Sequence, residues 1–280
     1  MAGKRKINRD LTERHVFDII WNGISNRHFE YRTEFFMIWG FFSAAHIVSL
    51  VLGAGMIVGL YFLLRNKSDL VKTVVLAVLS FSGIAAIIFN LVTWGSPLEY
   101  LPLHLCSLNA MVLPIAVLTR NKTLNNLLLL WSIGALFALL INVSVAETLL
   151  FSPVFCFYYF PHVLELGIPI LMFLLKLVKK DVKCIGSTMV ITAVSYTLIH
   201  FLNLFINAYA AENNLLDSAG EVIRVNYMFS LRPENPLLDL FYKLIPHPYW
   251  YMYLSFAVIA VYLLAVYFGD IVRAIRKRKK

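Results

Sequence analysis

The run Leu101-Pro102-Leu103-His104-Leu105-Cys106 puts a histidine and a cysteine just behind a proline that opens an apolar stretch. A thiol in the first turn of a helix gains from the partial positive charge there, and a nearby imidazole can take its proton. Together they make a nucleophile. His162 and Glu165 stand three residues apart in a second apolar stretch, so they share a helix face. The carboxylate is expected to receive one imidazole N–H and fix the tautomer. His104 and Cys106, two residues apart, point to nearly opposite sides of a regular helix. His162 is therefore the expected base for Cys106, with His104 in support. Asn109 lies one turn after Cys106 on the same face, and Asn109, Asn226 or backbone amides near Pro102 could stabilise an oxyanion. These residue types are those of acyl transfer through a thioester.

The elements that must position them are apolar. Of 280 residues 60% are hydrophobic, and the mean hydropathy is +0.73. Several runs exceed the roughly 18 to 20 residues that span a bilayer. The sequence predicts an all-α, polytopic integral membrane bundle of about seven transmembrane helices, near 36–64, 71–94, 102–119, 123–142, 153–178, 182–209 and 249–269. Residues 1–34, basic and aromatic, are expected to lie on the membrane surface as an amphipathic segment. Residues 35–270 form the membrane domain, and 271–280 form a basic tail. No cleavable signal peptide is expected, because the basic start leads into a polar stretch. The net charge of +9 sits in short loops and the tail, which speaks for membrane topology and against nucleic acid. Three cysteines give neither zinc spacing nor a C-x-x-C pair; no metal or cofactor is expected, and Cys156 and Cys184 read as inert.

Basic residues mark alternate connections: Arg65, Lys67 and Lys72; Arg120 and Lys122; Lys176, Lys179, Lys180 and Lys183; then the tail. The positive-inside rule puts the C-terminus in the cytoplasm and the N-terminus outside a cell membrane. On that topology His46, His104, Cys106, His162, Glu165, His200, Asn203 and Asn207 all fall in the outer half of their segments. Ionisable groups in hydrocarbon cost at least about 2 to 3 kcal/mol, so this common level is a functional signal. Tyr196, His200, Asn203 and Asn207 form a polar stripe facing the expected cavity. Gly53, Gly55, Gly59, Ser80, Ser82 and Gly83 suit close helix packing. Tyr158-Tyr159-Phe160 and Tyr249-Trp250-Tyr251 read as interfacial aromatic belts.

LPLHLC, Ala44-Ala45-His46, Pro161-His162, and Asn226-Tyr227-Met228-Phe229 followed by Pro248-Tyr249-Trp250-Tyr251 resemble the bacterial YwaF-type membrane proteins, relatives of the eukaryotic transmembrane protein 164. The resemblance runs from about residue 36 onward. It implies a multi-helix membrane protein whose eukaryotic branch is an acyltransferase remodelling ether phospholipids. The roles it carries over fall on Cys106 as nucleophile and His162 as its histidine partner, with Tyr227 part of the matching motif.

An outward-facing site disfavours cytosolic acyl-CoA as donor and favours a phospholipid ester, with a lysolipid, another headgroup or water as acceptor. The sequence leaves the oligomeric state open. A lipid or small-molecule transporter or scramblase using the same polar cavity is the first alternative. A scaffold or receptor presenting the 210–247 loop is the second.

Overall fold

A computed structural model describes residues 38–94, 96–141, 148–217 and 220–278; the expected surface segment 1–34 lies outside them. The order is β1 (Ile38–Trp39), α1 (Ala44–Leu64), α2 (Asp69–Trp94), α3 (Leu105–Thr119), α4 (Lys122–Ile141), β2 (Thr148–Leu149), α5 (Pro153–Leu174), α6 (Cys184–Glu212), α7 (Pro236–Leu244) and α8 (Tyr253–Arg278). The protein is a helical membrane bundle. Each of the seven expected segments contains a long helix, while α7 is a short helix in the last connection. Six stretches are long and apolar enough to cross a bilayer. The exception is α3, at 15 residues. It rises about 22 Å against a hydrocarbon layer of about 30 Å.

The centre belongs to α4 and α5, whose apolar windows are more than half buried. Leu128, Leu130, Ile168, Leu171 and Met172 sit fully enclosed between α3 and the other helices. Outward faces stay apolar, as a lipid surface requires: Val51, Leu52 and Val58 on α1, Leu198, Phe201 and Phe205 on α6, Val261, Leu264 and Phe268 on α8. Residues β1 and β2 pair antiparallel and tie the start of α1 to the start of α5. Ser43 and Ser152 cap those two helices, accepting from the His46 and Phe155 backbone N–H groups.

Except for Arg232–Glu234 in the last connection, the ion pairs among the described residues gather at one end. Asp69 at the start of α2 meets Lys72 at 3.2 Å and Arg120, after α3, at 3.7 Å. Lys122 at the start of α4 pairs with Asp181 before α6, and Asp270 of α8 pairs with Lys180 and Arg273. The basic connections thus share one face of the bundle. Lys122 and the Lys183 backbone N–H hold the Asp181 carboxyl below the usual carboxylate range.

Small residues separate into two kinds. A Cβ on Gly83 would lie 2.6 Å from Ala110 Cβ on α3 and 3.1 Å from Glu165 Oε1 on α5, so three helices close on that point. Gly53 is likewise covered, by Tyr159 and Val163. Gly55 and Gly59 face open space, contrary to the packing role expected of them. Gly83→Ala should therefore destabilise the detergent-solubilised protein by about 1 to 3 kcal/mol through overpacking. Gly55→Ala should leave it unchanged or raise stability by up to about 1 kcal/mol. Thermal unfolding of the two variants checks this, and equal effects would refute the assigned packing.

Candidate functional site

At the end opposite this gathering of ion pairs, residues 213–252 fold back over the bundle, and the polar stripe of α6 holds them there. Asn203, fully buried, donates from Nδ2 to Tyr227 O at 2.8 Å and Ser230 Oγ at 2.9 Å, while its Oδ1 accepts from Tyr227 N at 3.0 Å. Asn207 makes the same two-way contact with the Val225 backbone, at 2.9 and 2.7 Å. Ser230 Oγ, accepting from Asn203, also lies 3.0 Å from His200 Nδ1. Tyr196 donates to Tyr249 O at 2.7 Å. The loop needs such anchors, since Met228, Phe229 and Tyr249 all adopt left-handed backbone conformations with φ of 51°, 54° and 67°.

This corrects the expected cavity-lining role of the stripe: Tyr196, His200, Asn203 and Asn207 are engaged by the loop. Asn226 is equally committed. Its Nδ2 donates to Arg232 O and Glu234 Oε1 at 2.9 and 2.8 Å, and its Oδ1 accepts from Leu231 N at 2.9 Å. Both amide hydrogens are used, so Asn226 is not the oxyanion donor. Burial raises the Tyr227 phenol to about 12, and the protonated hydroxyl donates to Leu98 O. Each aromatic cluster has one internal member: Tyr251 is fully buried and donates to Phe229 O, and Tyr159 donates to Ser49 O, while Phe160 is exposed. Trp250 remains exposed.

His46 closes another seam. Its Nδ1 accepts from Phe42 N at 3.1 Å, so Nε2 carries the hydrogen and donates to Leu139 O at 2.7 Å, linking the first turn of α1 to α4. With both ring nitrogens occupied, His46 is a structural latch.

The third helix starts late. Pro102 and the Leu103 N–H to Leu101 O turn keep the backbone irregular, His104 is extended with ψ 155°, and helix begins at Leu105. The His104 ring packs against Tyr227 and Phe229, with centroids 5.3 and 5.4 Å away, and makes no capping bond. His104 therefore stands outside the helix, and the opposite facing expected of a regular helix does not apply to it and Cys106. Cys106 sits in the first turn of α3 beside Ser107, near the helix N-terminus, with Glu165 of α5 in its neighbourhood. Residues 101–108 all keep partial exposure, whereas Asn109 and Ala110 behind them are closed off.

His162 is oriented by its own helix. Nδ1 lies 2.6 Å from Tyr158 O, and because a carbonyl only accepts, Nδ1 carries the hydrogen and Nε2 keeps a lone pair. The ring tilts against Tyr158, centroids 4.3 Å apart. The expected His162–Glu165 hydrogen bond is thus replaced by one to the preceding turn. Depth follows from register. Glu165 Oε1 and Ala110 Cβ meet the same point above Gly83, and α3 and α5 run in the same direction. Going back three or four residues on each helix, about 5 Å, brings His162 level with Cys106 and Ser107.

Below the sulfur the junction is polar and unsatisfied. Neither amide atom of Asn109 has a partner, nor has Glu165 Oε2, although Asn109 is 0% and Glu165 4% exposed. Pro114 and Pro169 lack the N–H that a helix would give to the Ala110 and Glu165 carbonyls. Each such orphan costs about 1 to 3 kcal/mol, so packing alone does not account for them. Ser107, Gly83 and the Tyr158 carbonyl belong to this site and escaped the sequence reading. The Ser107 signal was present in its place beside Cys106, but the Gly83 contact depends on interhelix register.

Replacing Asn203 by Leu should strand Tyr227 N and O in a buried place, costing about 2 kcal/mol or more and exposing residues 213–252 to protease. Limited proteolysis against the parent protein measures this, and an unchanged cleavage pattern would remove Asn203 as the loop's anchor.

No curated protein and no solved structure matches this sequence. A family model described as the TMEM164 family matches residues 41–266, which contain the helices α1–α7, the folded-back loop and every residue of the Cys106 site. With most of its length matched in this way, the chain belongs to the TMEM164 family.

Proposed function

We propose that this protein is a membrane acyltransferase or transacylase that moves a fatty acyl chain from a phospholipid through a Cys106 thioester to a lipid acceptor. What supports this reading is a cysteine in the first turn of α3 and, level with it by helix register on α5, an imidazole whose Nδ1 is held by Tyr158 O so that Nε2 keeps its lone pair. In the first half-reaction Nε2 takes the thiol proton and the sulfur attacks the ester carbonyl. The tetrahedral oxyanion is met by the first-turn N–H groups of Cys106 and Ser107 and by the Ser107 hydroxyl. The carbon–oxygen bond to the glycerol breaks, the leaving alkoxide takes the proton from His162, and a lysolipid departs. In the second half an acceptor returns the acyl group to oxygen and frees the sulfur.

The basic connections and the Cys106 site lie at opposite ends, so the positive-inside rule orients the site toward the non-cytoplasmic leaflet of the cell membrane. A phospholipid already resident there is then the acyl donor. The transporter reading rested on the α6 stripe lining a pathway, and those side chains are bonded to the folded-back loop.

Purified protein incubated with a phospholipid of defined acyl chain should gain the mass of that chain on Cys106, labile to hydroxylamine. The adduct should be absent from Cys106→Ala, and His162→Gln should slow its formation by about 10²- to 10⁴-fold. Intact-protein mass spectrometry reads both. Full acylation rates in His162→Gln, or no adduct under conditions that preserve the fold, would refute the thioester mechanism.

A further inference from the structure

We propose that Asn109 and Glu165 form a second subsite, one turn deeper than the sulfur, that binds the hydroxyl of an alcohol acyl acceptor. The inference rests on the acyl-transfer reading for the identity of its occupant, and on independent observations for its existence. Two buried polar side chains on different helices lie at the level where α2, α3 and α5 meet: Glu165 Oε1 of α5 closes on Gly83 beside Ala110, and Asn109 precedes Ala110 on α3. Asn109 bonds to nothing through either amide atom, and Glu165 bonds to nothing through Oε2. They are therefore not bonded to each other. Glu165 makes no ion pair among the described residues, and no set of three or more potential metal ligands gathers there among them.

A hydroxyl suits this gap. It accepts from Asn109 Nδ2 and donates one hydrogen to Asn109 Oδ1 or Glu165 Oε2. The helix carbonyls freed by Pro114 and Pro169 add acceptors at the same junction. Gly83 is what lets Glu165 reach it, since a side chain there would collide with Ala110 and the carboxyl oxygen. The partly exposed face of residues 101–108 leads to Asn109 from the sulfur. A hydroxyl held there stands beside the thioester rather than in the oxyanion position. During transfer its oxygen attacks the thioester carbonyl and its proton passes to His162 Nε2. The new carbon–oxygen bond forms as the carbon–sulfur bond breaks, and the thiolate recovers the proton from the imidazole. Asn109 and Glu165 bind and position; they do not themselves exchange protons in this scheme.

The experiment measures binding without turnover, in full-length Cys106→Ala protein in nanodiscs. The probes are lysophosphatidylcholine and an analogue in which hydrogen replaces its free glycerol hydroxyl. The hydroxyl lipid should bind roughly 10- to 100-fold more tightly than the deoxy lipid. Asn109→Leu in this background should abolish that difference while keeping the melting temperature at or above the parent's, because it removes an unpartnered polar group. Glu165→Gln, which still offers hydrogen bonds, should keep most of the discrimination, and Glu165→Leu should lose it. Equal affinity for the two lipids in the Cys106→Ala parent would overturn the subsite. So would discrimination that survives Asn109→Leu, or a fall in melting temperature in that variant like that of Asn203→Leu. Discrimination in the Cys106→Ala protein, combined with no acyl adduct on Cys106 in the unsubstituted protein, would leave the subsite standing and overturn the thioester reading instead.

Discussion

Backbone polar groups within hydrocarbon must be satisfied by protein, and α3 strains that condition more than any other helix. Because the backbone is irregular through His104, helix begins only at Leu105, and its first-turn N–H groups open below the bundle's end. Residues 96–104 must be covered, and the 213–252 loop does so: Tyr227 bonds Leu98 O, and Tyr227 and Phe229 pack on His104. The loop in turn bends through left-handed residues and is fastened by the amides of Asn203 and Asn207. A short helix, an irregular approach, a folded cover and a polar stripe are four parts of one solution. Its by-product is a sulfur among free N–H groups, away from bulk water.

Partnering separates structural from chemical residues here. Asn203, Asn207, Asn226, His46 and His200 all sit at the depth that attracted attention, and each is committed to backbone or hydroxyl partners. Besides Ser96 Oγ and Asn125 Oδ1, the buried polar atoms left over among the described residues are at Asn109 and Glu165, with His162 about one turn above by helix register. An amide bonded on both edges fixes the fold and has no capacity left for a substrate. An unbonded amide sealed from solvent contributes nothing to stability and keeps its full capacity.

The helices were legible because hydropathy over twenty residues is a strong signal, and the common depth of the polar residues followed from alternating segment direction alone. The relation of His104 to Cys106 was not legible from helical geometry, because His104 is extended and precedes the helix. Nor were partners. Asn203 and Asn109 are the same residue type at similar depths, and their difference lies in whether a loop from elsewhere in the chain arrives beside them. The partner of the His162 ring differs from the expected Glu165 for a related reason. A face shared at three residues' spacing permits a bond to Glu165, but the Tyr158 carbonyl one turn back is closer to the ring, and Glu165 is drawn toward Gly83. The glycines show the same limit: Gly53, Gly55 and Gly59 look alike in sequence, and only the arrival of Tyr159 and Val163 distinguishes the first.

The division between His162 and Glu165 has a physical logic. A histidine fixed by a carboxylate in hydrocarbon would form a stabilised ion pair once it took the thiol proton, and the proton would then be slow to leave. A neutral carbonyl at Nδ1 orients the ring without that trap, so the imidazolium can return its proton to a leaving alkoxide or to the sulfur. Glu165, one turn deeper, then contributes polarity to the junction without binding the base. In the proposed reaction this arrangement keeps the proton mobile between sulfur and leaving group and leaves the hydrogen-bonding capacity of the junction unused by the fold.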